Sequence, residues 1–161
     1  MQGKKNVLAA LNTLLTGELT AIDQYFVHAE MYKDWGLQRL YEHTWHEMGE
    51  EREHASKLVA RILFLGGTPD VASRDKLRIG AAPQAMLESD LAVEYEVVTA
   101  LRAAIALCEK EQDYVSREML ETLLDDTEED HAHWLEQQLH LIRVVGEQNY
   151  LQSQMGGSGA T

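Results

Sequence analysis

Two stretches of the chain place a glutamate three residues before a histidine: Glu51 with His54, and Glu128 with His131. On a helix that spacing puts both side chains on one face, a turn apart. Both pairs lie on the apolar stripe of their segment. Around the first, the stripe runs Leu37, Leu40, Tyr41, Thr44, Met48, then Ala55, Leu58, Ile62 and Leu65, and its gap falls on Glu51 and His54. Around the second, Leu120 and Leu124 precede the pair, and Leu135 and Ile142 follow it. Two lone glutamates interrupt stripes in the same way. Glu18 sits among Leu11, Leu14, Leu15, Ile22 and Tyr25, and Glu94 among Leu87, Leu91, Val98 and Leu101.

The intervals repeat. Glu18 precedes Glu51 by 33 residues and Glu94 precedes Glu128 by 34. Each half of the chain therefore carries one inward Glu followed by one inward Glu-x-x-His. Packed together, the halves bring four carboxylates and two imidazoles to mid-core. Ionised carboxylates there would repel and lose several kcal/mol each in desolvation, so cations or protons must accompany them. Two divalent ions cancel four charges. Oxygen-rich sites with one imidazole per metal suit iron or manganese and tolerate zinc. His46, His133 and His140 also lie a turn from an acid, but off the apolar stripe, and read as surface. The dipeptide His46-Glu47 is no zinc-protease motif, since position 50 is Glu.

The elements that position these residues are four long helical patterns: about Val7–Trp35, Leu37–Leu65, Pro83–Lys110 and Tyr114–Val145. Gly36, Gly66-Gly67 and Gly146 mark ends, and Pro83 opens the third. Helices one and two are joined by almost nothing, as are three and four, which makes each pair an antiparallel hairpin. The segment "GGTPDVASRDKLRIGAA" is long enough to cross the length of a bundle. The expected fold is all-α, a four-helix bundle with one long crossover and a short fifth helix, "EQNYLQSQM". A single domain is expected over 1–155, with a flexible tail at 156–161. Helices of about thirty residues are about 45 Å long and leave apolar flank for self-association.

The 161 residues carry a net charge of −13. That balance opposes binding to nucleic acid or anionic membrane and favours cations. One cysteine, Cys108, excludes an intrachain disulfide and a four-cysteine metal site, and is expected to fill core space. No stretch approaches a membrane span. "MQGKKNVLAAL" has neither a long apolar run nor a cleavage site, so a cytoplasmic protein without signal peptide is expected.

At these residues the chain resembles the bacterioferritins, the iron-storage ferritins of bacteria. The likeness runs from "LNTLLTGELTAIDQYFVHAEMYKDWGL" through "RILFLGGTP", "KLRIG", "MLESDLAVE" and "DYVSRE" to "HWLE" and "QNYLQSQ". It implies a ferritin-like bundle, a hollow shell of 24 subunits and a ferroxidase centre in each. It assigns Glu18, Glu51, His54, Glu94, Glu128 and His131 as iron ligands, with Glu51 and Glu128 bridging and Glu18 and Glu94 terminal. Fe(II) would be oxidised there by O₂ or H₂O₂ and stored as ferric mineral, with a ferredoxin-type reductant for release. His46 and Glu50 are the inner-surface iron candidates. Asn149 and Gln152 match pore positions of the last helix, and "LRIG" pairs with a dimer mate.

Two departures stand out. The family's haem-ligand methionine would fall at position 52, which is Arg52; Met48 lies a turn earlier and reads as core filler. Haem b is therefore not expected in a homopolymer, and a shell mixed with a haem-binding subunit is the alternative. Second, "LLDDTEEDH" looks one residue longer than typical versions, so a bulge in the fourth helix just before the ligands is expected, with their exact geometry open. Tyr25, two turns from Glu18, has two readings: an electron donor to the site, or a hydrogen-bonded core tyrosine. Trp35, Trp45 and Trp134 read as packing residues. A non-storage di-iron oxidase or peroxidase, and an inert shell subunit, are the competing function classes.

Overall fold

The structure, a computed structural model, describes residues 1–156. Apart from Gly156, the tail expected at 156–161 lies outside the described residues. Two long helices, α1 (Lys5–Asp34) and α2 (Gln38–Phe64), pack on each other as the first hairpin. The second comprises α3 (Pro83–Lys110), then α4 (Tyr114–Asp125) and α5 (His133–Val145), with a π-helical segment, Asp126–Ala132, between the last two. A short α6 (Glu147–Ser153) closes the chain, and α1 packs on α3 to join the hairpins. The architecture is the expected one.

Local chemistry explains the boundaries. Gly36, at φ 76°, takes the left-handed turn that ends α1. Pro83 opens α3, where its missing N–H costs nothing. Asp113 caps α4 by accepting from the Ser116 amide, and Arg61 of α2 donates to the same carboxylate, at 2.8 Å. The π segment is where the extra residue of "LLDDTEEDH" goes: one wider turn absorbs it without breaking the rod.

Burial divides the core into two apolar clusters. One holds Leu11, Leu15, Leu58, Ile62, Leu101 and Leu123; the other holds Tyr32, Leu40, Met86, Leu87, Leu135 and Tyr150. Between them lies a buried polar layer that includes Glu18, His28, Glu51, His54, Asp90, Glu94 and His131. Cys108 is fully buried in the first cluster, and burial pushes its thiol up to about 11. Met48 packs against that cluster as core filler. Of the tryptophans, Trp134 stacks on His43. Trp35 and Trp45 depart from the packing expectation: they are 42% and 40% exposed, and Trp45 rests on the rings of Phe26 and Tyr41.

Part of the polar layer fastens the crossover. Its extended backbone follows α1, with Asp70 N–H donating to Asn12, Asp75 N–H to Thr20 and Arg78 N–H to Gln24. Gly80 N–H donates to His28 Nε2 at 3.1 Å, so the His28 ring carries its proton on Nδ1 and donates it to Asp90 at 2.8 Å. Gln24 Nε2 donates to the same Asp90 oxygen at 2.7 Å. Burial raises the Asp90 carboxyl, but what the network uses is an acceptor oxygen rather than a charge. Asp90→Asn keeps that acceptor and should stay within about 1 kcal/mol of the parent in guanidinium unfolding. Asp90→Ala strands two buried donors and should cost about 1–3 kcal/mol.

Candidate metal centre

Glu18 comes from α1, Glu51 and His54 from α2, Glu94 from α3 and His131 from the π segment; each residue is at most 3% exposed. The five converge on Glu51. One of its oxygens lies 3.2 Å from His54 Nδ1, the other 2.7 Å from His131 Nδ1. Glu18 stands 3.9 Å from His54 Nδ1, and Glu94 stands 3.8 Å from His131 Nδ1. The two imidazoles face each other nearly parallel, 5.6 Å apart. The result is two triads sharing Glu51: Glu18–Glu51–His54 and Glu51–Glu94–His131, each with ligand atoms within 4.8 Å of one another.

The fit of these residues to metal is tested by their unsatisfied atoms. Both Glu18 oxygens, Glu94 Oε2 and His131 Nδ1 are buried without a hydrogen-bond partner. Such atoms are costly unless something positive joins them. Protons do part of this work. Burial, followed by the neighbouring Glu51 charge, raises the Glu18 carboxyl well above its usual range. Burial also acts against the charge on Glu51, but the close approach of Glu18, His131 and His54 outweighs it and holds that carboxyl low. Burial likewise opposes charge on His131, yet Glu47, Glu51 and Glu94 hold its proton firmly. Protons placed among carboxylates and imidazoles mark where divalent cations would displace them.

Glu128 is not brought to this cluster. Its side chain is 37% exposed and its carboxylate pairs with Arg102 at 2.5 Å. The wider π turn rotates it off the face that His131 keeps, while Thr127 is buried and its hydroxyl donates to the Leu123 carbonyl. Tyr25 donates its hydroxyl to Glu94 Oε1, so it touches the centre directly. His46 and Glu50 pair on the surface at 3.4 Å, and Arg52 is exposed. Asn149 turns back to the Val145 carbonyl, and Asn149 and Gln152 are exposed.

The structure adds residues that sequence reading did not single out. Each site imidazole directs Nδ1 inward and Nε2 outward to a further carboxylate. His54 Nε2 meets Asp126 at 3.3 Å; His131 Nε2 meets Glu47 at 3.0 Å and Glu50 at 3.1 Å. Outer carboxylates of this kind fix ring orientation and tautomer. Glu47 was findable, being a turn before Glu51 on the same face. Asp126 was not, because it reaches His54 only through the π register.

Comparison with known proteins identifies the family. The Ferritin-like domain model of the ferritin family matches residues 8–145. A bacterial ferritin of Synechocystis sp. is 57% identical over 155 residues, spanning 96% of this chain and 99% of that protein. A bacterial ferritin of Pseudomonas aeruginosa is 56% identical, spanning 96% of this chain and all of that protein. A bacterioferritin of Mycobacterium bovis is 43% identical over 150 residues, spanning 93% of this chain and 94% of that protein. With buried carboxylate–histidine triads at the middle of a matching bundle, this chain belongs to the ferritin family.

Proposed function

We propose that the chain is an iron-storage subunit that oxidises Fe(II) at a two-iron centre and holds the ferric product inside a 24-subunit shell. The observation that carries this reading is the pair of triads sharing Glu51, with buried ligand atoms left unsatisfied. Fe(II) is the substrate. One ion would be held by Glu18, Glu51 and His54, the other by Glu51, Glu94 and His131. Two adjacent ions let O₂ or H₂O₂ accept two electrons at once, which avoids one-electron oxidants. Glu51 bridges because it alone reaches both imidazoles. Tyr25 orients Glu94 through its hydroxyl and stands close enough to serve as an electron donor. Glu128 would be the sixth ligand, releasing Arg102 to reach the metal.

The shell reading draws on the relatives' names, on the net charge of −13 per subunit, which attracts cations, and on apolar side chains left exposed, including Phe26, Leu77, Ile79 and Tyr95. The location proposed is cytoplasmic; among the described residues no helix is long and apolar enough to cross a membrane. Haem is not assigned to a homopolymer, because Arg52 stands at the expected ligand position and Met48, partly buried, packs against the core. A mixed shell with a haem-binding subunit remains the second assembly, and a ferredoxin-type reductant the donor for release.

Anaerobic Fe(II) titration of the metal-free assembly, followed by air, tests the reading. A fast phase saturating at about two Fe per subunit, then slower uptake of many more, is expected. Oxidation without retention would replace it with a non-storage di-iron oxidase or peroxidase, and no fast phase would leave an inert shell subunit. Glu51→Gln should slow the fast phase by about 10–100-fold or more, by analogy with losses at metal-site partners. The clamp on Glu128 has its own test. An exposed pair is worth about 0.2–1 kcal/mol, so Arg102→Ala should tighten Zn(II) binding by up to about fivefold, and Glu128→Gln should weaken it. If calorimetry finds neither change, Glu128 is no ligand.

A further inference from the structure

Four backbone N–H groups of the crossover donate to side chains of α1. Asn12, Thr20 and Gln24 take the amides of Asp70, Asp75 and Arg78, and none of these acceptors titrates. The fourth acceptor, further along the same face of the helix, is an imidazole: His28 Nε2 takes the amide of Gly80 at 3.1 Å. His28 has no spare nitrogen. Its Nδ1 carries the ring's proton and donates it to Asp90 at 2.8 Å, and the residue is 0% exposed, so bulk water cannot replace either partner. Gly80 has no spare room. It is buried, and a methyl group on it would stand 2.5 Å from the Met86 nitrogen, so its backbone is already pressed against the first turn of α3. Titratable and charged groups around the ring are few. α3 brings Asp90, and the crossover brings Arg78, whose guanidinium is turned to Glu96. α1 brings Tyr32 a turn on, with Tyr150 of α6 close to it. From α2 and the π segment, His43, Glu47 and His131 line a small cavity that Asp90 also lines. Of all these, Asp90 alone bonds to the ring.

We propose that His28 is a pH-sensitive latch on the crossover, holding Gly80 while the ring is neutral and releasing it when the ring is protonated. A second proton on the ring must sit on Nε2, because Nδ1 already carries one. That turns the acceptor into a donor, and it then faces the Gly80 N–H, which is another donor. The contact between Nδ1 and Asp90 survives and gains a charge. The ring therefore binds its second proton more tightly with the crossover released, and by linkage a fall in pH favours release. The change belongs to the range in which histidine titrates, between about pH 8 and about pH 5. Since the ties at Asn12, Thr20 and Gln24 do not titrate, release begins at the α3 end of the crossover and stops at Arg78. The freed stretch includes Ile79, an exposed apolar side chain, so the latch governs how that side chain is presented.

Hydrogen–deuterium exchange of the full chain, compared at about pH 7.5 and about pH 5 after correction for intrinsic exchange, tests this. Protection of the Gly80 amide should fall about tenfold or more at the lower pH, the loss expected for one buried hydrogen bond, while the amides of Asp70 and Asp75 hold theirs. His28→Gln puts an acceptor and a donor that do not titrate in the ring's place, and should flatten the response. Unchanged Gly80 protection in the parent would overturn the proposal, and so would an equal fall in His28→Gln. Should that variant not fold, crystals of the parent moved from the higher pH to the lower decide the matter. A Gly80 nitrogen that leaves His28 supports the latch, and one that stays at 3.1 Å overturns it.

Discussion

The rest of the structure depends on Glu18, Glu51 and Glu94 being buried together in a bundle otherwise held by leucine. Each ionised carboxylate moved out of water loses several kcal/mol, and a domain has only about 5–15 kcal/mol of net stability. Three uncompensated charges would therefore unfold it. Glu51 shows how the structure manages: Glu18 and the two imidazoles around it hold its carboxyl low against burial, while burial and the Glu51 charge push the carboxyl of Glu18 high. The layer is stable as a set of shared protons, and for the same reason it is a site from which cations can take those protons' place.

Holding such a layer open requires rigid material on both sides. The two apolar clusters supply it, one on each side of the polar layer. Neither helix hairpin can slide to bury Glu51 elsewhere without disrupting both. The second half of the layer, His28 with Asp90 and Gln24, is tied to the crossover backbone at Arg78 and Gly80. Thus the long connection that makes this topology is fastened by the same stratum that holds the centre, with Tyr25, next to Gln24 on α1, donating to Glu94.

Much of this was legible in the sequence because α-helical periodicity is strict. Charged residues at inward positions break a leucine stripe visibly, so Glu18, Glu51, His54, Glu94 and His131 could be named together with the four helices that carry them. Glu128 shows where periodicity stops helping. The extra residue before it predicts a bulge, and the structure has one, but the direction each side chain takes through a π turn is set by packing. There Thr127 turned inward, Glu128 outward to Arg102 and Asp126 toward His54. Glu47 lies a turn before Glu51 on the same face of α2, but only the fold puts His131 of another element against it.

The two halves of the chain repeat their inward residues, yet the surroundings of the two imidazoles differ. The outer nitrogen of His54 meets one carboxylate, Asp126, whose side chain is 40% exposed. The outer nitrogen of His131 meets two, Glu47 and Glu50, with His43 and His46 next in line. Behind His54 the recess is lined by Glu50, Glu53, Asp126 and Asp130 with Lys57 among them, while behind His131 oxygen and nitrogen donors follow one another along a single face of α2. Duplicated halves alone would give the two imidazoles equal surroundings. Unequal outer carboxylates make them differ, and the residues that set the difference lie just outside the triads.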